Sequence, residues 1–217
     1  MSRLRRMADV QDPDSFSSRM RRKRFALFEQ LLAPLPRPLS ILDVGGTERF
    51  WETMGLIEDP DIELHLLNVH PVATGDHSVT QHVGDARCMP EFEDDRFDIV
   101  FSNSVIEHVG PLPEQKRMAD EVRRVGRRYF IQTPNRYFPI EPHFLIPGFQ
   151  FLPHPMKVML LRHVKGIRDP EKADARAREI TLVSRRQLQA MFPDAKIWAE
   201  RFAGLSKSFV AYAGWSE

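Results

Sequence analysis

The chain has 217 residues, 42% of them hydrophobic and 28% charged, which is enough for one well-filled core and ordinary for a globular protein. A formal net charge of +1 excludes a strong polycation, and a single cysteine, Cys88, excludes both an internal disulfide and a thiolate metal cluster. No run approaches the roughly 18 apolar residues of a membrane span, and the basic start lacks the apolar stretch of a secretory signal, so the expected location is cytoplasmic.

Residues 1–15 read as a flexible basic leader. Eight basic residues stand against three acids between Arg3 and Arg24. Two readings of that cluster stand side by side: a solvated helix face, or a contact for phosphate, RNA or an anionic membrane surface. Ser17 or Ser18 is placed to cap a helix through about Leu32, with Phe25, Phe28, Leu31 and Leu32 on its apolar side and Pro34 to stop it. "LSILDVG" is a buried-strand pattern, followed by Gly45-Gly46 and a short helix over 48–55. "IELHLLNVH", "SVTQHVGDA" and "RFDIVFSNSVIEHV" contain the next three strands. Met118, Val122 and Val125 share one face of a helix over 113–125, and "RRYFIQTPN" is a fifth strand broken by Pro134.

Residues 136–180 keep no single period. "RYFPIEPHFLIPGFQFLPHP" is rich in aromatics and proline, "KVMLLRHV" is a short helix pattern, and "RDPEKADARARE" reads as charged and exposed. Ser184 then caps a helix from Arg185, and "AKIWAERF" and "SKSFVAYAG" form an antiparallel pair around an Ala-Gly turn. Consecutive apolar residues such as Ile99-Val100-Phe101 suit central parallel strands buried on both sides. The expected fold is α/β: a mostly parallel Rossmann-like sheet with helices on both faces and a C-terminal antiparallel strand pair. The expected organisation is one domain over 16–217 that includes 136–180 as an acceptor-side insertion or lid.

"ILDVGGTERF" places glycines where a strand turns into a helix, the arrangement that lets a cofactor approach backbone N–H groups. Neither the G-x-G-x-x-G dinucleotide fingerprint nor the P-loop is present. By the residues alone, a cofactor cradle and a plain structural turn both stand.

In order, "ILDVGGTERF", "LLNVHP", "VGDARCMP" and "FDIVFSNSVIEHV" make residues 41–135 resemble the class I S-adenosylmethionine-dependent methyltransferases. The nearest group is the broad, type 11-like one related to ubiquinone and menaquinone biosynthesis methylases. The resemblance implies the Rossmann-like methyltransferase sheet and S-adenosyl-L-methionine as cofactor. It implies that Asp43, Gly45 and Gly46 form the loop by the methionine portion. Asn68 falls where many relatives have an acid for the ribose hydroxyls, Asp85 and Ala86 at the adenine, and Asn103 and Ser104 on the methionine side. Two positions depart from the pattern: Glu48 stands where a third glycine is common, and Asn68 lacks the carboxylate charge. These departures keep a catalytically silent cofactor-binding or scaffold protein among the readings.

A sulfonium methyl group is already electrophilic, so the protein's task is to hold donor and acceptor in line and, where needed, to take a proton. His143 and His108 are the candidates for that step, His108 because "EHV" follows the fourth strand at the edge where parallel-sheet sites gather. Arg136, Tyr137, Phe138, His143 and Phe144 are the acceptor-side candidates, in a segment stiffened by Pro134, Pro139 and Pro142. The eight histidines form no metal motif by spacing, so no metal is expected. The leading reading is methyl transfer to a small-molecule, lipid or sugar acceptor with some apolar character, at oxygen. An RNA methyltransferase using the basic N-terminal helix is the alternative within the enzyme class. Peripheral membrane contact through "MRRKRF" and "KVMLLRHV" is a further partner expectation, without a stable membrane span.

Overall fold

A computed structural model of the chain describes residues 16–72, 75, 79–141 and 143–215, with side chains from residue 20 onward. The expected leader over 1–15, the capping side chains of Ser17 and Ser18, His77 and Pro142 lie outside the described residues. The chain opens with α1 (Phe16–Leu32), then β1 (Leu39–Val44), α2 (Glu48–Met54), β2 (Ile62–Asn68), β3 (Thr80–Val83) and β4 (Ile99–Asn103). A 3-10 turn (Ile106–His108) leads to α3 (Leu112–Val125) and β5 (Tyr129–Pro134). The excursion that follows holds β6 (Ile140–Glu141), β7 (Ile146–Pro147), α4 (His154–Val164) and α5 (Pro170–Arg178). The chain closes with α6 (Arg185–Met191), β8 (Lys196–Phe202) and β9 (Leu205–Ala213).

Seven strands form one sheet in the order β3-β2-β1-β4-β5-β9-β8. The first five pair in parallel, and β9 runs antiparallel to both β5 and β8. This is the expected Rossmann-like sheet, mostly parallel with a terminal antiparallel pair. Alternation along β1 divides the core. Leu42 and Val44 face a cluster with Met118, Val122 and Val125 of α3 and Leu188 of α6. Leu39 and Ile41 face a second cluster with Phe25 and Phe28 of α1 and Trp51 of α2. A two-residue side-chain period in strands sends neighbours to opposite layers, so the apolar run of β1 needs helices on both faces.

The strand order reverses direction at β1 and β4, which makes their carboxyl ends a topological switch point. Crevices for ligands open there because the flanking crossovers leave in opposite directions. In register, Asp43 lies beside Phe101 and Val44 beside Ser102 at that edge.

Two local details differ from the sequence-based expectations. Pro134 ends β5 instead of breaking it, paired in register with Ser208 of β9; a strand terminus tolerates its missing N–H. "RDPEKADARARE" contains a capped helix: Asp169 Oδ1 accepts from the N–H groups of Glu171 and Lys172, and Ala173 and Ala177 are buried one turn apart. Alanine is too small to raise an apolar period amid eight charged neighbours, which hid the buried stripe. Those alanines join Phe144, Phe149 and Leu161 in a third apolar cluster beneath the excursion. No helix among the described residues is long and apolar enough to cross a membrane.

Candidate active site

At the switch point, Arg21, Asp43, Gly45, Gly46, Thr47, Phe50, Phe101 and Asn103 line an open cleft of about 540 Å³. Gly45 has a φ of 74°, the left-handed region that glycine enters without strain, and Val105 packs where its Cβ would be. Gly46 is required for a different reason. A Cβ there would lie 1.9 Å from Oδ2 of Asp43, so the glycine backbone rests directly against that carboxylate.

Asp43 is 2% exposed and receives a 2.7 Å hydrogen bond from Nε1 of Trp51. Burial pushes its carboxyl up to about 8, against the opposing effect of the Trp51 donor. A cationic amine placed in the cleft would favour the ionised form of this carboxyl and bring its pKa back down. Arg21 faces the same cleft from α1, and its Nε is buried without a hydrogen-bond partner. Burial, then the neighbouring charge of Arg24, lowers the Arg21 pKa. An anionic group in the cleft would relieve both. The two ends of an amino acid therefore find complementary partners here, which fits the methionine portion of S-adenosylmethionine.

The neighbouring strand ends are tied to this loop. Asn68 Nδ2 donates to the Gly46 carbonyl at 3.0 Å, Gly45 N–H to the Leu67 carbonyl at 2.8 Å, and Gly84 N–H to the Asn68 carbonyl at 3.0 Å. These bonds join the ends of β1, β2 and β3 into one continuous edge. Asn68 thus spends its amide on the loop and leaves its side-chain oxygen for a ligand. Glu48 lies outside the cleft wall. It is buried, and Oε2 accepts from the N–H of Gly75.

Asp85 sits just beyond Gly84 and pairs with Arg87 through both oxygens. The hydrogen bonds from Arg87 are the largest effect holding its carboxyl below the usual range. Ala86 packs into the first core cluster. Ser104, at φ 61°, turns its hydroxyl to Gln132 at 2.8 Å, so Asn103 but not Ser104 lines the cleft.

Further along the same edge, the fold gathers residues far apart in sequence. Glu107 is fully buried, and its Oε2 accepts from Thr133 Oγ1 at 3.0 Å. Burial raises its carboxyl to about 7. His143 Nε2 lies 3.1 Å from Nε2 of His108, and Nδ1 lies 2.7 Å from Oε1 of Glu141. Burial alone would lower His143, but the hydrogen bond and charge of Glu141, with Glu107 behind it, leave it raised. Burial and the facing His143 lower His108.

A second cavity, of about 570 Å³, opens under the excursion. Arg136, Glu141, Phe144 and Lys157 are among its lining residues. Of the acceptor-side candidates, Arg136 and Phe144 share that cavity, and His143 reaches it through Glu141. Tyr137 is 64% exposed and stacks on Phe151, while Phe138 packs against Phe202; neither lines the cavity. Sequence reasoning missed Arg21, Glu141 and Lys157 as site residues. Arg21 belongs to a basic run with no internal mark separating cleft from solvent, and Glu141 and Lys157 stand in a segment without a clear period.

The methyltransferase domain family model matches residues 59–129, about a third of the chain. An uncharacterized protein from each of two strains of Mycobacterium tuberculosis is 33% identical over 132 residues, covering 54% of this chain and 43% of the relative. The chain thus spans less than half the length of these curated relatives. Among solved structures, the CurJ carbon methyltransferase matches at a TM-score of 0.59 and 13% identity, covering 94% of this chain and 56% of that one. A SAM-dependent methyltransferase from Aquifex aeolicus matches at 0.52 and 13%, covering 98% of both chains. Residues 59–129 are thus similar to a methyltransferase domain, and the sheet around the glycine loop shares the fold of these methyltransferase structures.

Proposed function

We propose that the chain binds S-adenosylmethionine in the switch-point cleft and catalyses methyl transfer to oxygen of a small-molecule, lipid or sugar acceptor with an apolar portion. The bound cofactor supplies an electrophilic methyl group on its sulfonium. Asp43 and Arg21 hold the amino and carboxyl ends of the methionine portion, and the Gly45-Gly46 backbone gives room for close approach. Asn68 supports the ribose side, with Asp85 and the Ala86 backbone at the adenine side and Asn103 beside the methionine. The acceptor enters under residues 136–180, which act as a lid on a domain that runs over 16–217. Phe144 supplies apolar wall, Arg136 and Lys157 supply positive charge, and His143 with His108 orients the acceptor oxygen. Tyr137 and Phe138 belong to the outer rim.

The observation that carries this reading is the pairing in one cleft of a buried, charge-poor Asp43 with an Arg21 whose Nε has no partner. Calorimetric titration of the chain with S-adenosylmethionine, followed by methyl-labelled cofactor incubated with cell extract, tests it. One equivalent should bind, with affinity at least about tenfold weaker in Arg21→Ala, a difference of ~1.4 kcal/mol. Label should appear in an extractable small molecule or lipid. Absence of binding by folded chain refutes the proposal. Binding without transfer favours the silent reading, and label in RNA favours the RNA methyltransferase.

A further inference from the structure

Glu107, His108 and His143 each bring one ligand atom to within 4.8 Å of the others. The turn after β4 supplies the first two, and the β6–β7 connection supplies the third. The two imidazole Nε2 atoms face each other at 3.1 Å, and His143 Nε2 stands 3.8 Å from Glu107 Oε1. Ligand atoms about 2.0–2.1 Å from a tetrahedral ion lie roughly 3.3 Å apart, a value between these two separations.

The surrounding groups hold the ligand atoms in place. Glu141 accepts from His143 Nδ1 at 2.7 Å, which leaves a lone pair on Nε2 directed at the centre. Glu141 is itself fixed by the N–H of Phe144 at 2.6 Å. Thr133 occupies Oε2 of Glu107 and leaves Oε1 free. That Oε1 atom is the independent sign of a missing partner: Glu107 is 0% exposed and Oε1 has no hydrogen bond. A bare hydrogen bond between the two histidines would satisfy the rings and still leave a buried carboxylate oxygen without a hydrogen bond, which is costly.

We propose that Glu107, His108 and His143 bind one divalent cation of the zinc type, leaving a coordination position for an acceptor oxygen. Two imidazoles and one carboxylate suit zinc, cobalt or ferrous iron better than magnesium or calcium, which favour oxygen-only shells. The role at the acceptor rests on the methyl-transfer reading: a hydroxyl bound to such a cation loses its proton more readily. Cation binding itself does not depend on that reading.

The test uses the full chain stripped with chelator and titrated with Co²⁺ alone, then with Zn²⁺ as competitor, without S-adenosylmethionine. One equivalent of Co²⁺ should bind with visible d–d absorption and be displaced by Zn²⁺. His108→Ala, at an exposed position, should weaken binding about 100-fold, and Thr133→Val, which touches no ligand atom, about tenfold. Circular dichroism and S-adenosylmethionine titration of each variant report the fold separately. No stoichiometric Co²⁺ or Zn²⁺ binding by the parent, or parental affinity in both His108→Ala and His143→Ala, overturns the proposal. Cobalt binding without cofactor binding would remove the methyl-transfer reading and leave the cation site standing. The reverse outcome would do the opposite.

Discussion

Asp43 concentrates the chemistry of the cleft in one carboxyl group. Its folded pKa, about 8, lies above its ordinary value of 3.8. The native state therefore binds more protons than the unfolded state between those values. Its contribution to stability is fully present below about 4 and is lost as pH rises through about 8. Thermal melts of the ligand-free chain should fall from pH 6 to pH 9, and Asp43→Asn should flatten that slope. The same variant should bind S-adenosylmethionine at least about tenfold more weakly, because the negative charge facing the amine is gone. A parental slope in Asp43→Asn would show that another group carries the pH dependence. Gly46→Ala forces a methyl group against Asp43 Oδ2 and should cost about 1–3 kcal/mol in chemical denaturation while abolishing cofactor binding. Unchanged stability in that variant would mean the loop relaxes freely. Asp43 and the glycines were legible in sequence because a strand followed by glycines is a local pattern. Arg21 was not, since its partner in the cleft comes from a strand 22 residues later and only folding brings them together.

At the scale of elements, α1 is fastened to the far edge of the sheet as well as to the aromatic core. Arg24 Nη1 binds both oxygens of Glu200 on β8 at 2.9 Å, and Ser208 Oγ donates to Glu200 at 2.8 Å. Glu200 is 0% exposed, so Arg24→Ala leaves a buried carboxylate poorly compensated. The expected loss is about 3 kcal/mol, read from denaturant midpoints; a loss near zero would show that Lys207, 4.0 Å away, takes over. Because α1 also carries Arg21, the same variant should weaken cofactor binding. The cap on α6 is simpler. Ser184 and Gln187 form a reciprocal capping box, and Ser184→Ala should cost about 1 kcal/mol. That cap could be read directly from the sequence, whereas α5 could not, because its buried stripe consists of two alanines.

Across the whole molecule, the excursion over 136–180 has its own small apolar cluster, built around Phe144, Phe149 and Leu161. Most of the large side chains around that cluster are only partly buried, and Met156, Met159 and Val164 of α4 are exposed. Local opening should therefore need less free energy than opening of the main sheet. Amide exchange should be faster in α4 and α5 than in β1, β4 and β5, and should slow when an acceptor binds. Exchange in α4 as slow as in the central strands would exclude a lid. The sequence by itself determined the alternating strands and helices, the glycine turn and the closing antiparallel pair, because these depend on periods and turn residues within a few positions of each other. Tertiary structure alone decided that α1 lends Arg21 to the cleft and that a turn and a hairpin bring Glu107, His108 and His143 together. Such convergence depends on strand order and packing across 22 to 36 residues, and no local period records it.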